Sequence, residues 1–371
     1  MKIILLKENL KTGLLIMEKV ASSNLSLPIL RNVLIKTNTK VQLTTTDLEM
    51  AITHFISGKI EESGSITIPV TTLSEIANNL KSEKIILEKK NKNLLLKTDN
   101  YEALLQGIDE EEFPIIPKIK NKDEFIEINS NLLANSLESV ITAASFSEVR
   151  PEISGVLFSF EPGVIKLVAT DSFRLAEKTI NQEQLKINFE KGFKTIIPLK
   201  TVDALIRVIK QQETERVKIY FDSNQVLFCI NDTEIISRLI GGNFPDYQQI
   251  IPKDLKTKIT IKNQELIDAI KISGAFIPRS NEIKITTNKD HKFLEIFSQD
   301  SSLGENRYRV PAEIEGPDRV ISFNWRYLID GLRSIKEEEL FLGISEETKP
   351  TLIKAVKSPS FFYILMPLKS S

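Results

Sequence analysis

The chain has 371 residues, 41% apolar and 27% charged, a composition for two or three soluble globular domains. Its 49 basic and 50 acidic side chains nearly cancel, which excludes a polycation that holds nucleic acid by bulk charge; any such contact must come from local sorting. One cysteine, Cys229, and two histidines, His54 and His291, exclude an internal disulfide and leave no zinc constellation.

The opening MKIILLKENLKTG has only four apolar residues in a row, Ile3 to Leu6, too few for a signal-peptide core or a membrane span, so a cytoplasmic protein is expected. Apolar residues three and four apart then predict a helix over 9–22 and, after Pro69, another over 71–82. KIILEKKNKNLLLKT, from Lys84, follows as a pair of strands. The same order returns with helices over 130–145 and 198–210, and again over 262–274 and 324–336. Leu133, Leu137, Val140 and Ile141 make the buried stripe of the third helix, and Asn129 or Ser130, and Asn263, are the expected N-caps. RVKIYFDSNQVLFCIN and ELFLGISEETKPTLIKAV supply the later strand pairs; Cys229 reads as a buried strand thiol.

The stretches that open the second helix of each block, at Pro69, Pro198 and Phe323, lie 129 and then 125 residues apart. That periodicity predicts three similar α+β domains, 1–121, 122–253 and 254–371. The junctions DEEEFPIIPKIKNKDE and GGNFPDYQQIIPKDLKTK both carry Phe-Pro and an apolar exit, so they should dock on the domains that they join. The carboxylates Asp109 to Glu112 in the first junction read as a solvated face, with a hard cation as the alternative.

IKLVATDSFRLAEKTI, Ile165 to Ile180, is a hairpin with Thr170 and Asp171 at its tip. A similar tip at Thr46 and Asp47 makes it an element of the repeat, and Asp171 with Arg174 has no second partner for acid–base chemistry. No phosphate loop, nucleophile elbow or metal motif is present, so no catalytic residue, metal or cofactor is assigned. Over the six predicted helices, eleven Lys or Arg face seven Asp or Glu. The excess fits helices turned toward phosphates and sheets turned away.

LPIL (Leu27–Leu30), TTDLEM (Thr45–Met50), ATDSFRLA (Ala169–Ala176), NFPDY (Asn243–Tyr247) and YILMPL (Tyr363–Leu368), in this order on a threefold repeat, resemble the bacterial DNA polymerase III beta subunits, the sliding clamps. The resemblance implies a head-to-tail homodimeric ring, with helices lining the inside and antiparallel sheets outside. It implies a non-catalytic processivity factor that encircles double-stranded DNA without reading sequence. Its expected partners are the replicative polymerase alpha subunit, the clamp-loader delta subunit, and other polymerases and repair proteins; no membrane is involved. These would insert a short Gln-x-x-Leu-Phe-like peptide into a pocket between the second and third domains.

Carried over by position, that pocket comprises Ile153, Thr170, Ser172, Phe173, Arg174 and Leu175, then Pro245, Gln249 and Ile250, then Asn324, Pro350, Ile364, Met366, Pro367 and Leu368. Arg174 and backbone groups would orient the peptide. Phosphate contacts fall to Lys11, Arg150, Lys200, Arg207, Lys271 and Arg333, and the protomer interface to Ala103 and Leu105 against Phe276 and Ile277. Ser172-Phe173 stands where the family usually has Gly-His, so a positive φ is less expected at this tip. Gln248 and Gln249 replace residues that are often basic, the chain ends Lys-Ser-Ser, and Asn24 and Asn135 stand at positions basic in some relatives. The alternative from another class is a three-repeat interaction scaffold that never encloses DNA.

Overall fold

The structure, a computed structural model, describes residues 1–18, 27–161, 163–189, 192–212, 214–277 and 279–368. Among them are six α-helices: α1 (Lys7–Met17), α2 (Val70–Asn79), α3 (Ser130–Ile141), α4 (Leu199–Gln211), α5 (Asn263–Ser273) and α6 (Trp325–Arg333). All six sit where the apolar spacing puts them; α4 keeps its predicted length, shifted by one residue, and the other five are shorter than predicted. The predicted helix end at 19–22, like Asn24 and the Lys-Ser-Ser tail, lies outside the described residues.

Helix starts differ from expectation for a local reason. Strand Lys2–Leu6 runs directly into α1, and strand Thr257–Lys262 directly into α5, so the cap positions fall on Leu6 and Lys262, neither of which supplies a side-chain cap. Asn263 is therefore inside the helix. Its buried amide donates to the carbonyls of Leu332 (3.2 Å) and Ile335 (2.9 Å), tying α5 to the end of α6. Ser130 likewise donates its hydroxyl to the Thr214 carbonyl.

The chain divides into two compact units that do not follow the thirds. The first comprises Met1–Asn131, Leu185–Phe189 and Asp203–Leu239; the second comprises Leu132–Gln184, Glu190–Val202 and Ile240–Ser371. Strand pairing is the cause. In the first unit Met50–Ile56 pairs antiparallel with Thr233–Arg238, which builds a nine-stranded sheet beside a five-stranded one. In the second, Arg174–Asn181 pairs antiparallel with Phe361–Leu365 inside a twelve-stranded sheet. Hydrogen-bond ladders thus cross from one repeat to the next in both units, and such ladders satisfy edges that would otherwise stay open.

α1, α2, α5 and α6 each pack an apolar stripe on a sheet. α1 buries Leu10, Leu14 and Met17; α5 buries Leu266, Ile267 and Ile270; α6 buries Leu328, Ile329 and Leu332. In α6, Gly331 lets Tyr363 come close: a Cβ there would lie 2.5 Å from the ring. Tyr363 is fully buried and donates its hydroxyl to the Tyr327 carbonyl at 2.9 Å. Both junctions dock, as their composition predicts. Phe113 packs with Ile29 and Leu30, and Ile119 with Ala51, Leu227 and Ile236. In the second unit Tyr247 joins Leu157, Val168, Leu175, Ile196, Leu352 and Ile364, with Phe244, Ile251 and Leu255 against them.

Candidate functional site

The hairpin tip between strands Val164–Thr170 and Arg174–Asn181 is built by side chains bonding to the backbone. Thr170 Oγ1 donates to the Arg174 carbonyl (2.7 Å) and accepts from the Ser172 amide (3.2 Å). Asp171 Oδ1 accepts from the amides of Phe173 and Arg174, both at 3.0 Å. The same four bonds recur in the other unit around Thr46, Asp47 and Met50. Third-repeat Asp300 accepts in the same way from Ser302 and Leu303. Contrary to the expectation drawn from Ser172-Phe173, Ser172 does adopt a positive φ, 78°, as Leu48 does at 77°. A non-glycine residue in that region costs about 1–2 kcal/mol, which the four bonds offset.

Arg174 does not present its charge to solvent. Its side chain is 10% exposed, bonds Asp171 Oδ2 at 2.8 Å and Asp330 Oδ2 at 2.7 Å, and lies 4.1 Å from the centre of the Tyr327 ring. Burial works against the charge, but Tyr363, Asp330 and Asp171 hold the guanidinium above the ordinary arginine pKa. Arg174 is thereby a tie between the tip and α6, and its carbon stem forms wall.

Beside this tie lies a cleft of about 190 Å³, entirely within the second unit. Its buried floor is Ile153, Leu175, Tyr247 and Ile364; Phe173 and Ile250 stand exposed at its mouth. Tyr247 donates its hydroxyl to Glu177 Oε2 at 2.5 Å, and burial, with Glu177 beside it, raises the phenol's pKa. The carboxyl-terminal segment is stitched to the tip, the Met366 amide donating to the Phe173 carbonyl at 2.9 Å. The counterpart in the other unit is the Arg238 amide donating to the Glu49 carbonyl, also at 2.9 Å.

Of the residues expected to form a pocket, Ile153, Thr170, Ser172, Phe173, Arg174, Leu175, Pro245, Ile250, Ile364 and Met366 line this cleft. Gln249, Asn324, Pro350, Pro367 and Leu368 are not in its wall. Gln249 donates to Asp246 Oδ2 (2.7 Å), Asn324 caps α6 by accepting from the Arg326 amide (3.0 Å), and the Leu368 amide donates to the Ser322 carbonyl (2.8 Å). Three residues are added: Arg150, Asp246 and Tyr247. The last two stand inside the NFPDY motif, which marked them without assigning a role. Arg150, expected among the phosphate contacts, also lines the cleft, donating to Ser172 Oγ (3.0 Å) and to Glu152 Oε1 (3.1 Å).

The other basic candidates are exposed on helices: Lys11 on α1, Lys200 and Arg207 on α4, Lys271 on α5 and Arg333 on α6. Arg207 pairs with Asp203 at 2.6 Å and Lys271 with Asp268 at 3.5 Å. Ala103 and Leu105 lie on strand Glu102–Leu105, an edge of the five-stranded sheet, with Leu104 exposed between them. Phe276 ends a single turn after α5, and both it and Ile277 are half-buried. Among the described residues no cluster of His, Cys, Asp and Glu is arranged to hold a metal, and no helix is long and apolar enough to cross a membrane.

Comparison with known proteins matches three family models in succession: the N-terminal domain of the DNA polymerase III beta subunit over residues 1–117, its central domain over 127–246 and its C-terminal domain over 248–369. The chain is 28% identical to the beta sliding clamp of Bacillus subtilis, over 100% of both chains, and 26% identical to that of Synechococcus elongatus, over 100% of this chain and 99% of the relative. The crystal structure of the DNA polymerase sliding clamp from Bacillus subtilis superposes over 100% of both chains with a TM-score of 0.94 at 27% identity.

Proposed function

Because the chain belongs to the DNA polymerase III beta-subunit family along nearly its whole length, we infer that it is a DNA sliding clamp, a non-catalytic processivity factor of the replicative polymerase. The three-part match in chain order, with the same fold throughout, is the observation that carries this reading. Three clamp domains, 1–121, 122–253 and 254–371, form one protomer. Two protomers close head to tail around duplex DNA in the cytoplasm.

Closure engages the edge strand of Ala103 and Leu105 with the region of Phe276 and Ile277 in the second copy, which would cover the exposed Leu104. Lys11, Lys200, Arg207, Lys271 and Arg333 offer charge to the DNA backbone from helix surfaces, a contact that carries no sequence information and weakens with salt. The cleft takes a short Gln-x-x-Leu-Phe-like peptide from the polymerase alpha subunit, the clamp-loader delta subunit and repair proteins. Its apolar floor and rigid hydrogen-bonded rim support that role.

Topological retention is the test. Loaded onto nicked circular DNA, the protein should stay bound in high salt and be lost once the circle is cut. Equal loss from circular and linear DNA would refute encirclement and favour a scaffold that never encloses DNA. Changing Phe276 and Ile277 to Ala should shift sedimentation from dimer toward monomer, and an unshifted dimer would sink the interface assignment.

A further inference from the structure

Next to the cleft, the chain exposes apolar side chains that neither the core nor the cleft uses. Phe146 is 74% exposed and Val149 is 91% exposed, both in the loop between α3 and the turn Pro151–Ile153. This loop is firmly held. The Ser147 amide donates to Ser154 Oγ (2.8 Å), Ser154 Oγ donates back to the Ser147 carbonyl (3.0 Å), and the Arg150 amide donates to Ser147 Oγ (3.1 Å). Arg150 then bridges from the loop to Ser172 on the hairpin tip, where Phe173 is 61% exposed. A rigid frame thus carries three exposed apolar side chains around a residue that itself lines the cleft. Holding them in place beforehand lowers the ordering cost of a ligand.

We propose that Phe146, Val149 and Phe173 form an apolar ledge that continues the cleft, and that it receives one further hydrophobic residue of the partner peptide, outside those that fill the cleft. The proposal rests on reading the cleft as a peptide site. Two observations select this occupant. Arg150, which lines the cleft, directly follows Val149 and bonds the tip that carries Phe173, so the ledge is continuous with the cleft that holds the peptide. Charge on the ledge is already answered, since Arg150 is paired with Glu152 and Glu148 adds a carboxylate to the same loop. An uncharged apolar residue fits there better than a phosphate backbone does.

The test uses the full-length protein and fluorescein-labelled peptides. One is the core Gln-Ala-Ala-Leu-Phe; two others add Leu-Gly before it or Gly-Leu after it. One extension should bind about tenfold tighter than the core, the gain from burying most of a leucine side chain. The variant F146S/V149S should erase that gain and leave core affinity within twofold. V149S alone, at the most exposed position, serves as a second variant and should give part of the loss with unchanged melting. Two equal extensions with no gain, or a variant that weakens core and extended peptides alike, would overturn the ledge while sparing the cleft. Unchanged peptide binding with altered sedimentation or altered DNA retention would assign the ledge to a second copy or to DNA, and overturn it too. Absence of core binding by the unaltered protein would remove the cleft reading itself, and the ledge with it.

Discussion

Removing the Arg174 side chain breaks two short ion pairs at once, at 2.8 Å to Asp171 and 2.7 Å to Asp330, and takes the guanidinium off the Tyr327 ring. The Asp171 side chain is only 6% exposed, so Arg174→Ala strands a buried carboxylate, and one-sided loss of a buried pair costs about 3–5 kcal/mol. Asp330 is 34% exposed and screened by solvent, so its share is at most about 1 kcal/mol. We expect about 3 kcal/mol for Arg174→Ala, or a fall of about 6–12 °C in the melting of the second unit. The reporter is at hand: the single tryptophan, Trp325, opens α6, whose docking the tie secures, and its Nε1 donates to Asn281 Oδ1 at 3.3 Å. Urea unfolding followed by Trp325 fluorescence reads the loss directly. Arg174→Lys keeps the charge without the planar fork and should recover less than half of it, and Asp330→Asn should cost about 1 kcal/mol. Wild-type unfolding of Arg174→Ala, or an Asp330→Asn as costly as Arg174→Ala, would refute the account of the tie.

Gly331→Ala forces a methyl against the Tyr363 ring and should destabilise α6 by about 2–3 kcal/mol, read by the same fluorescence; a neutral result would mean that α6 is free to shift. Ser172→Gly should raise the melting temperature slightly, by relief of about 1 kcal/mol at φ 78°, because the hydroxyl's bond to Arg150 is solvent-exposed and contributes little. A lower melting temperature would show that Ser172 Oγ matters more than its backbone. His54 is buried, with Nδ1 2.8 Å from Thr233 Oγ1, and burial lowers its pKa despite the opposing charge of Asp232. The unfolded chain then takes up a proton near pH 6.5 that the folded chain refuses, so stability falls as pH drops below that value toward the folded pKa. Between pH 7.5 and 5.5 the melting temperature of His54→Gln should fall less than that of the unaltered protein; parallel curves would remove His54 as the cause.

Helix positions were legible because apolar residues three and four apart fall on one face of a helix and would scatter over both faces of a strand; Leu133, Leu137 and Val140 follow that spacing, and all are buried. Helix ends were not, since a strand that enters a helix without a loop, as at Leu6 and Lys262, carries no capping residue to read. The Thr-Asp tip was legible as a repeat, but its left-handed residue was hidden under Ser172 and Leu48, types that rarely adopt it. Most of the cleft wall followed from motif positions. The ties that shape it, Arg174 with Asp330 and Tyr247 with Glu177, span 156 and 70 residues and have no local pattern. The division into units was equally invisible, because strands are alike in sequence whichever neighbour they finally pair with.

The ladder between Arg174–Asn181 and Phe361–Leu365 has a consequence for what the chain can be cut into. A fragment ending at residue 253 would leave Arg174–Asn181 with one edge unpaired, and one starting at 254 would do the same to Phe361–Leu365, each an open edge for self-association. The three repeats read in the sequence are thus out of phase with the two compact units of the fold. The cleft accordingly draws its wall from both sides of the 253–254 boundary, Ile153 and Leu175 on one side and Ile364 and Met366 on the other.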